Sequence, residues 1–215
     1  MQLIGMLDSP YVRRVAISLQ LLGVPFDHRP LSVFRTYDQM RAINPVVKVP
    51  TLVCDDGSVL MDSTLILDYA ATLVPGARAL VPAALPQRLH TLRLIGLALA
   101  ACEKSVALVY ECHLRPAERQ HPPWIGRLTE QLQGAYRELE QEIAAQPLAC
   151  SPDSIGQDGI CAAVAWQFTQ QLLPGVVPAA EHGALSAFSA QAETLPQFRR
   201  APHGSATYPV STRAS

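Results

Sequence analysis

Hydrophobic positions recur along this chain in two rhythms, and the change between them divides it. In the first eighty residues, short apolar runs alternate with helical spacing. Residues 2–6 form an apolar run fit for a buried strand, which ends at Leu7-Asp8-Ser9-Pro10. Proline is favoured at the first helical position and serine at the cap before it, so a helix is predicted from here. Val12, Val15, Ala16, Leu19 and Leu22 recur at three- and four-residue steps until Gly23 stops the helix. Residues 26–31 read as a weaker strand and Tyr37–Ile43 as a short helix ended by Asn44-Pro45. Pro50 precedes Thr51-Leu52-Val53 and lacks an N–H, which suits the first residue of a strand or an edge. It also pushes Val49 toward extended geometry, where its main-chain groups can face a ligand. Asp55-Asp56-Gly57-Ser58 supplies turn chemistry before Val59-Leu60-Met61, so two strands pair as a hairpin. Asp62-Ser63 then precedes helical spacing from Thr64 through Ala71. The predicted order is β-α-β-α-β-β-α.

Residues 74–86 hold three prolines and no steady period, and every long segment after them reads as helix. A chain of 215 residues accommodates two modest domains divided there. Residues 87–114 and 124–145 are long helices expected to pack antiparallel across the turn at 115–123. Leu128, Leu132, Ala135, Tyr136, Leu139 and Ile143 share one face of the second. Ser154-Ile155-Gly156-Gln157 matches a capping box. The helix it starts runs through Ile160, Val164, Phe168 and Leu172, with Cys161 and Trp166 as core. Short helices are expected at 184–193 and 196–200, and the polar tail 201–215 is expected to fray.

Composition narrows the function classes. Net charge is −1, and residues 1–80 carry seven basic and seven acidic side chains against ten and eleven in 81–215. No basic stripe is available to neutralise phosphates, which argues against nucleic acid as a partner. The N-terminus has no basic region ahead of a long apolar core. Arg93, Glu103 and Lys104 interrupt the most apolar helix short of the roughly 20 residues that span a bilayer. A soluble, cytoplasmic protein without membrane contact is expected. The five cysteines are odd in number and form no C-x-x-C pair, and the six histidines are scattered, so neither a disulfide framework nor a metal site is expected.

Two features carry candidate chemistry. Asp or Ser at a helix cap leaves backbone N–H groups facing outward, a place for a carboxylate, while Val49 offers an extended edge. Each taken alone is also an ordinary cap or an ordinary hairpin. Taken together with Ser9-Pro10-Tyr11-Val12-Arg13, Val49-Pro50 and Asp62-Ser63, and followed by an all-helical segment, they resemble the cytosolic glutathione transferase family, in its serine-type, bacterial-like form. The resemblance covers almost the whole chain. It implies an α/β plus all-α fold: a thioredoxin-like glutathione-binding domain at 1–76, a linker at 77–86 and an all-helical second-substrate domain at 87–205. It further implies a cis Val49-Pro50 bond, glutathione as co-substrate, no metal, and a homodimer.

By the same resemblance, the Val49 backbone holds the cysteinyl unit of glutathione, and Asp62 and Ser63 hold its γ-glutamyl end. The charges suit this, since that end is a zwitterion. Ser63 and the helix N-terminus match its carboxylate, and Asp62 its ammonium group. Lys48 and Arg35 are candidates for the glycine carboxylate at the other end, or else solvated surface charges. Phe34 either walls the pocket or packs against the second helix. Tyr11, Tyr110 and Arg115 are candidates for the electrophilic second substrate.

Ser9 decides the chemistry. Thioredoxin-like redox proteins open their first helix with C-P-x-C, whereas this chain has Ser9-Pro10-Tyr11-Val12. A protein-bound mixed disulfide is therefore not available here. A hydroxyl at a helix start can instead donate to the glutathione thiolate. Lowering a thiol pKa of ~8.5 by about two units needs ~2.7 kcal/mol. A hydrogen bond to a charged group supplies about 1.5–3 kcal/mol and a helix N-terminus about 0.3–1. The expected activity is conjugation of glutathione to a small electrophile. A non-catalytic glutathione-binding scaffold and a glutathione-dependent peroxidase or reductase are the alternatives, as is a purely capping Ser9. At one place the family's pattern is not kept: its second-domain cap has Asp three residues after Ser/Thr, where this chain has Gln157 and then Asp158.

Overall fold

The computed structural model describes residues 1–74 and 76–204. Its first part is a four-stranded sheet in the order β2-β1-β3-β4, built from β1 (Gln2–Ile4), β2 (Asp27–Arg29), β3 (Thr51–Val53) and β4 (Val59–Met61). β1 runs parallel to β2 and antiparallel to β3, and β3 and β4 form the predicted hairpin with Thr51 opposite Met61. The helices of this part are α1 (Pro10–Leu22), α2 (Tyr37–Ile43) and α3 (Ser63–Leu73), so the element order is the one the periodicity predicts. Gly23 ends α1 at φ 69°, and the Val24 N–H closes onto the Leu19 carbonyl at 2.9 Å.

β1 is two residues shorter than expected because Gly5 departs from strand geometry at φ 135°. A Cβ there would lie 2.6 Å from Val12 Cγ2 and 3.0 Å from Val49 Cβ. Glycine at this position lets the start of α1 and the Val49 loop close on the sheet.

The second part is helical: α4 (Leu85–Val109), α5 (Pro122–Ala145), α6 (Gln157–Leu172), α7 (Gly183–Ala192) and α8 (Pro196–Arg200). α4 and α5 pack together, with Arg93 bonding Glu138 and Glu142 at 2.6 Å each. The α5 face read from the sequence is the buried one. α6 is buried nearly all round, as befits a helix without a polar side. Its Thr169 hydroxyl satisfies the buried Tyr136 Oη at 2.6 Å and Ser105 Oγ at 2.7 Å. Cys161 and Trp166 lie in this core.

The capping box does not form. Gly156 stands at the N-cap of α6, and Ser154 Oγ pairs instead with Ser151 Oγ at 2.7 Å. Gln157 is buried and used between the two parts: its N–H donates to the Leu80 carbonyl at 2.8 Å, and its Oε1 accepts from Ser18 Oγ of α1 at 3.0 Å. A local cap is given up for a tertiary bond. The Asp158 carboxylate accepts from Thr91 Oγ1 at 3.0 Å.

α1 is bound still more firmly at its N-terminal end. Arg13, 1% exposed, bonds both oxygens of Glu193 at 2.6 Å and donates through Nε to the Ala201 carbonyl at 2.8 Å, with its guanidinium over the Phe198 ring. The start of the expected tail is thus packed, Ala201 being 1% exposed; residues 205–215 lie outside the described residues. Removing the carboxylate strands a buried charge. Glu193→Ala is expected to cost about 3–5 kcal/mol, read in urea as a lower midpoint at unchanged slope.

Candidate active site

A cleft of about 360 Å³ opens where α1 begins, and it gathers residues from both parts of the chain. Ser9, Pro10 and Tyr11 come from the start of α1, Phe34 from the loop before α2, Lys48 and Val49 from the loop before β3, and Tyr110 from beyond α4. The Val49–Pro50 peptide is cis. Ser9 is the N-cap of α1, yet its Oγ lies 3.5 Å from the Val12 N–H, at the outer limit of a hydrogen bond. Its hydroxyl is therefore only weakly engaged by its own helix.

Tyr11 is the other hydroxyl at this helix start. Burial pushes its pKa well above its ordinary value, with Cys102 and Glu103 adding to the effect and Arg14 opposing it. It stays protonated and offers the cleft a donor, never a base. Tyr110 opens a single π turn, Tyr110–Leu114, that follows α4 directly, and such turns recur at functional sites. Its ring meets Phe34 edge to face at 5.7 Å, so an aromatic pair from both parts of the chain walls the cleft. Phe34 lines the cleft and is 39% exposed.

Asp62, Ser63 and Pro50 do not line this cleft. Asp62 is tied to it by Lys48, whose Nζ lies 3.6 Å from the carboxylate. The sequence reading set these two at opposite ends of a ligand. The β3–β4 register brings them together, because Thr51 opposite Met61 places Asp62 beside the residues ahead of β3. Both are about half exposed, so the pair contributes at most ~1 kcal/mol. Asp62 caps α3 by accepting from the Thr64 N–H at 2.9 Å. Ser63 is buried, and its Oγ accepts from Arg14 Nη1 at 3.0 Å.

Among the described residues, only Val47 (φ 54°) and Asp62 (φ 74°) are non-glycine residues in the left-handed region. Each costs about 1–3 kcal/mol, and such strain clusters at functional sites. Val47 lies on the cleft wall and Asp62 is paired with Lys48 of that wall.

Arg35 and Arg115 are likewise not brought to the cleft. Arg35 is exposed away from its wall. Arg115 donates through Nε to Glu111 Oε2 at 2.8 Å, a carboxylate that also accepts from the His121 N–H and so closes the turn after α4. Wall residues that sequence reasoning missed include Asp8, 2% exposed, and Val106. Val106 had a readable signal, since it stands one helical turn before Tyr110. No group of three His, Cys, Asp or Glu among the described residues is placed to hold a metal ion, and no helix among them is long and apolar enough to cross a membrane.

Comparison with known proteins agrees with this geometry. Residues 3–78 match the family described as glutathione S-transferase, N-terminal domain. The chain is 26% identical over 175 residues to the uncharacterized GST-like protein YibF of Escherichia coli (strain K12), covering 81% of this chain and 86% of that one. A glutathione transferase family member from Pseudomonas fluorescens Pf-5, solved with bound S-(propanoic acid)-glutathione, superposes with a TM-score of 0.77 at 27% identity, covering 94% of this chain and 98% of that chain. A glutathione S-transferase from Methylobacterium radiotolerans JCM 2831, solved with glutathione sulfonate, shares the fold with a TM-score of 0.86 at 23% identity, covering 95% and 96%. A thioredoxin-like N-terminal domain followed by a helical region defines the class of fold. Residues 3–78 thus carry a glutathione S-transferase N-terminal domain, and the chain as a whole has the fold of the glutathione transferases it resembles.

The cap of α3 has a pH signature. Partial burial works to raise the Asp62 pKa, but the Thr64 and Leu65 N–H groups and Lys48 outweigh it, so the carboxyl titrates below its ordinary value. A depressed folded-state pKa contributes stability that is present above the unfolded value of 3.8 and lost as pH falls through the folded one. Wild type is therefore expected to lose more stability than Asp62→Asn between pH 5 and 2, as measured by denaturant unfolding at each pH.

Proposed function

We propose that this protein conjugates glutathione to a small electrophile, with Ser9 donating a hydrogen bond to the glutathione thiolate. The observation that carries this reading is the weakly engaged Ser9 hydroxyl in a cleft shared with Val49, Tyr11, Phe34 and Tyr110. In this reading the extended Val49 main chain holds the cysteinyl unit, and the head of α3 with Asp62 and Ser63 holds the γ-glutamyl end. Lys48, poised beside Asp62, exchanges that partner for the ligand's charges. The thiolate then attacks a substrate held against Tyr11 and the Phe34–Tyr110 wall. The sulfur–carbon bond forms as the electrophile's leaving group departs, and the thiol proton passes to solvent. No cysteine lines the cleft, which favours conjugation over thiol-dependent reduction.

Ser9→Ala is expected to lower kcat/KM for an aryl halide at pH 7 by roughly 10- to 100-fold and to move its alkaline rise up by one to two pH units, the loss of one charged hydrogen bond. An unchanged pH profile would transfer the thiolate to Tyr11. Tight binding of glutathione with no turnover of any electrophile would instead leave a scaffold.

The same reading includes a homodimer. Leu65 and Tyr69 on α3, Val59 and Met61 on β4, and Leu85, Leu89 and Leu92 on α4 are all exposed apolar side chains in the surface-facing parts of those elements. Leu89→Glu is expected to sediment as a monomer where wild type sediments as a dimer. A wild-type monomer at micromolar concentration would remove this part of the proposal.

A further inference from the structure

Tyr11 is a donor without an acceptor. It lines the cleft two positions beyond Ser9 and packs against the core, and among the described residues nothing accepts a hydrogen bond from its phenol. The wall residues Leu31, Val33, Val49 and Val106 have no acceptor on their side chains. Tyr110, the other phenol of the wall, is 39% exposed, so water competes there with a ligand. Burial keeps the Tyr11 phenol protonated through the pH range in which a thiolate forms.

Helix geometry restricts where this donor can act. Side chains two residues apart on a helix do not face each other, so a ligand atom at Ser9 and one at Tyr11 occupy separate points. With sulfur held at Ser9, the atom that meets Tyr11 lies away from the carbon under attack. In a halide the departing atom sits on that carbon, and in an epoxide the oxygen is joined to it directly. In a conjugated carbonyl the displaced electron pair travels instead to an oxygen at the far end of the double bonds. Such a system is planar, and the edge-to-face Phe34–Tyr110 pair with Val33 and Val106 gives it an apolar wall. Charge arriving on that oxygen inside an apolar cleft requires a donor.

We propose that Tyr11 is a catalytic hydrogen-bond donor to the carbonyl oxygen of the second substrate, and that the preferred electrophile is an α,β-unsaturated ketone or aldehyde. The proposal rests on the glutathione reading above and narrows its electrophile. The thiolate sulfur bonds to the β-carbon, the carbon–carbon π pair moves toward the carbonyl, and the carbonyl π pair settles on oxygen as an enolate held by the Tyr11 O–H. The α-carbon then takes a proton from water and the carbonyl re-forms. That proton balances the one released by the thiol, and no leaving group departs. The hydrogen bond strengthens as charge develops, so it acts on the transition state. A halide puts no charge at Tyr11 and gains nothing from it.

The test divides kcat/KM for benzylideneacetone by kcat/KM for benzyl chloride, both at saturating glutathione and pH 7. Tyr11→Phe removes only the oxygen and is expected to lower this ratio by about tenfold to a hundredfold, with the loss falling on kcat for the ketone. A second measurement needs no variant: the acceleration by wild type over the uncatalysed reaction with glutathione is expected to be at least about tenfold greater for the ketone than for the chloride. An unchanged ratio in Tyr11→Phe, equal accelerations in wild type, or a fall in the ratio that appears with Tyr110→Phe instead overturns the proposal, while turnover of either electrophile keeps the glutathione reading. An alkaline rise displaced for both substrates in Tyr11→Phe would place the phenol at the thiolate and likewise overturn it. Turnover of neither electrophile overturns the functional reading, and this proposal with it.

Discussion

Arg13 carries a guanidinium into a space almost closed to solvent, and the geometry of the cleft follows from how that charge is held. Desolvating it costs several kcal/mol, repaid only because both Glu193 oxygens, the Ala201 carbonyl and the Phe198 ring meet it together. These partners come from the last helices of the described chain, while Arg13 sits one turn inside the helix that begins at Ser9. The bond fixes the head of α1 against the helical part. Ser18 to Gln157, further along α1, prevents rotation about that point.

A helix start held in this way allows the cleft to be walled from two sides. Gly5 lets the Val49 loop approach α1 from the sheet side. The π turn after α4 brings Tyr110 onto Phe34 from the other. Asp62 is held at its positive φ by the hairpin register and its cap bond to Thr64, and Val47 by the bond from its N–H to the Asn44 carbonyl at 2.9 Å. The cleft then holds a hydroxyl only weakly engaged in capping, with an aromatic wall beside it.

The two adjacent arginines show how neighbours of one type acquire different work. Arg13 is neutralised by a carboxylate 180 residues away in sequence, whereas Arg14 meets only hydroxyls at the head of α3. The first arrangement is structural and self-contained. The second joins α1 to the head of α3 through the Ser63 and Thr64 hydroxyls.

Local rules were sufficient for much of this molecule. Ser9-Pro10, the three- and four-residue steps of α1, the Asp56-Gly57 turn, the apolar face of α5 and the Asp62 cap are all dictated within about ten residues. The sequence alone therefore determined the order of the elements and the shape of the hairpin, while the roles proposed for Ser9, Val49 and Ser63 came from its resemblance to a known family. It misled where a local motif competed with a distant partner: Ser154 to Gln157 has the letters of a capping box, but Gln157 lies buried against Ser18 and Leu80. It was silent where a long charged side chain chooses among partners remote in sequence. Helical periodicity gives Arg13, Arg14 and Arg115 one polar character, and only the tertiary structure buried the first two and turned the third onto Glu111. Backbone periodicity is a short-range property that composition encodes directly, whereas the fate of a charge depends on which groups the completed fold brings within a few ångströms of it.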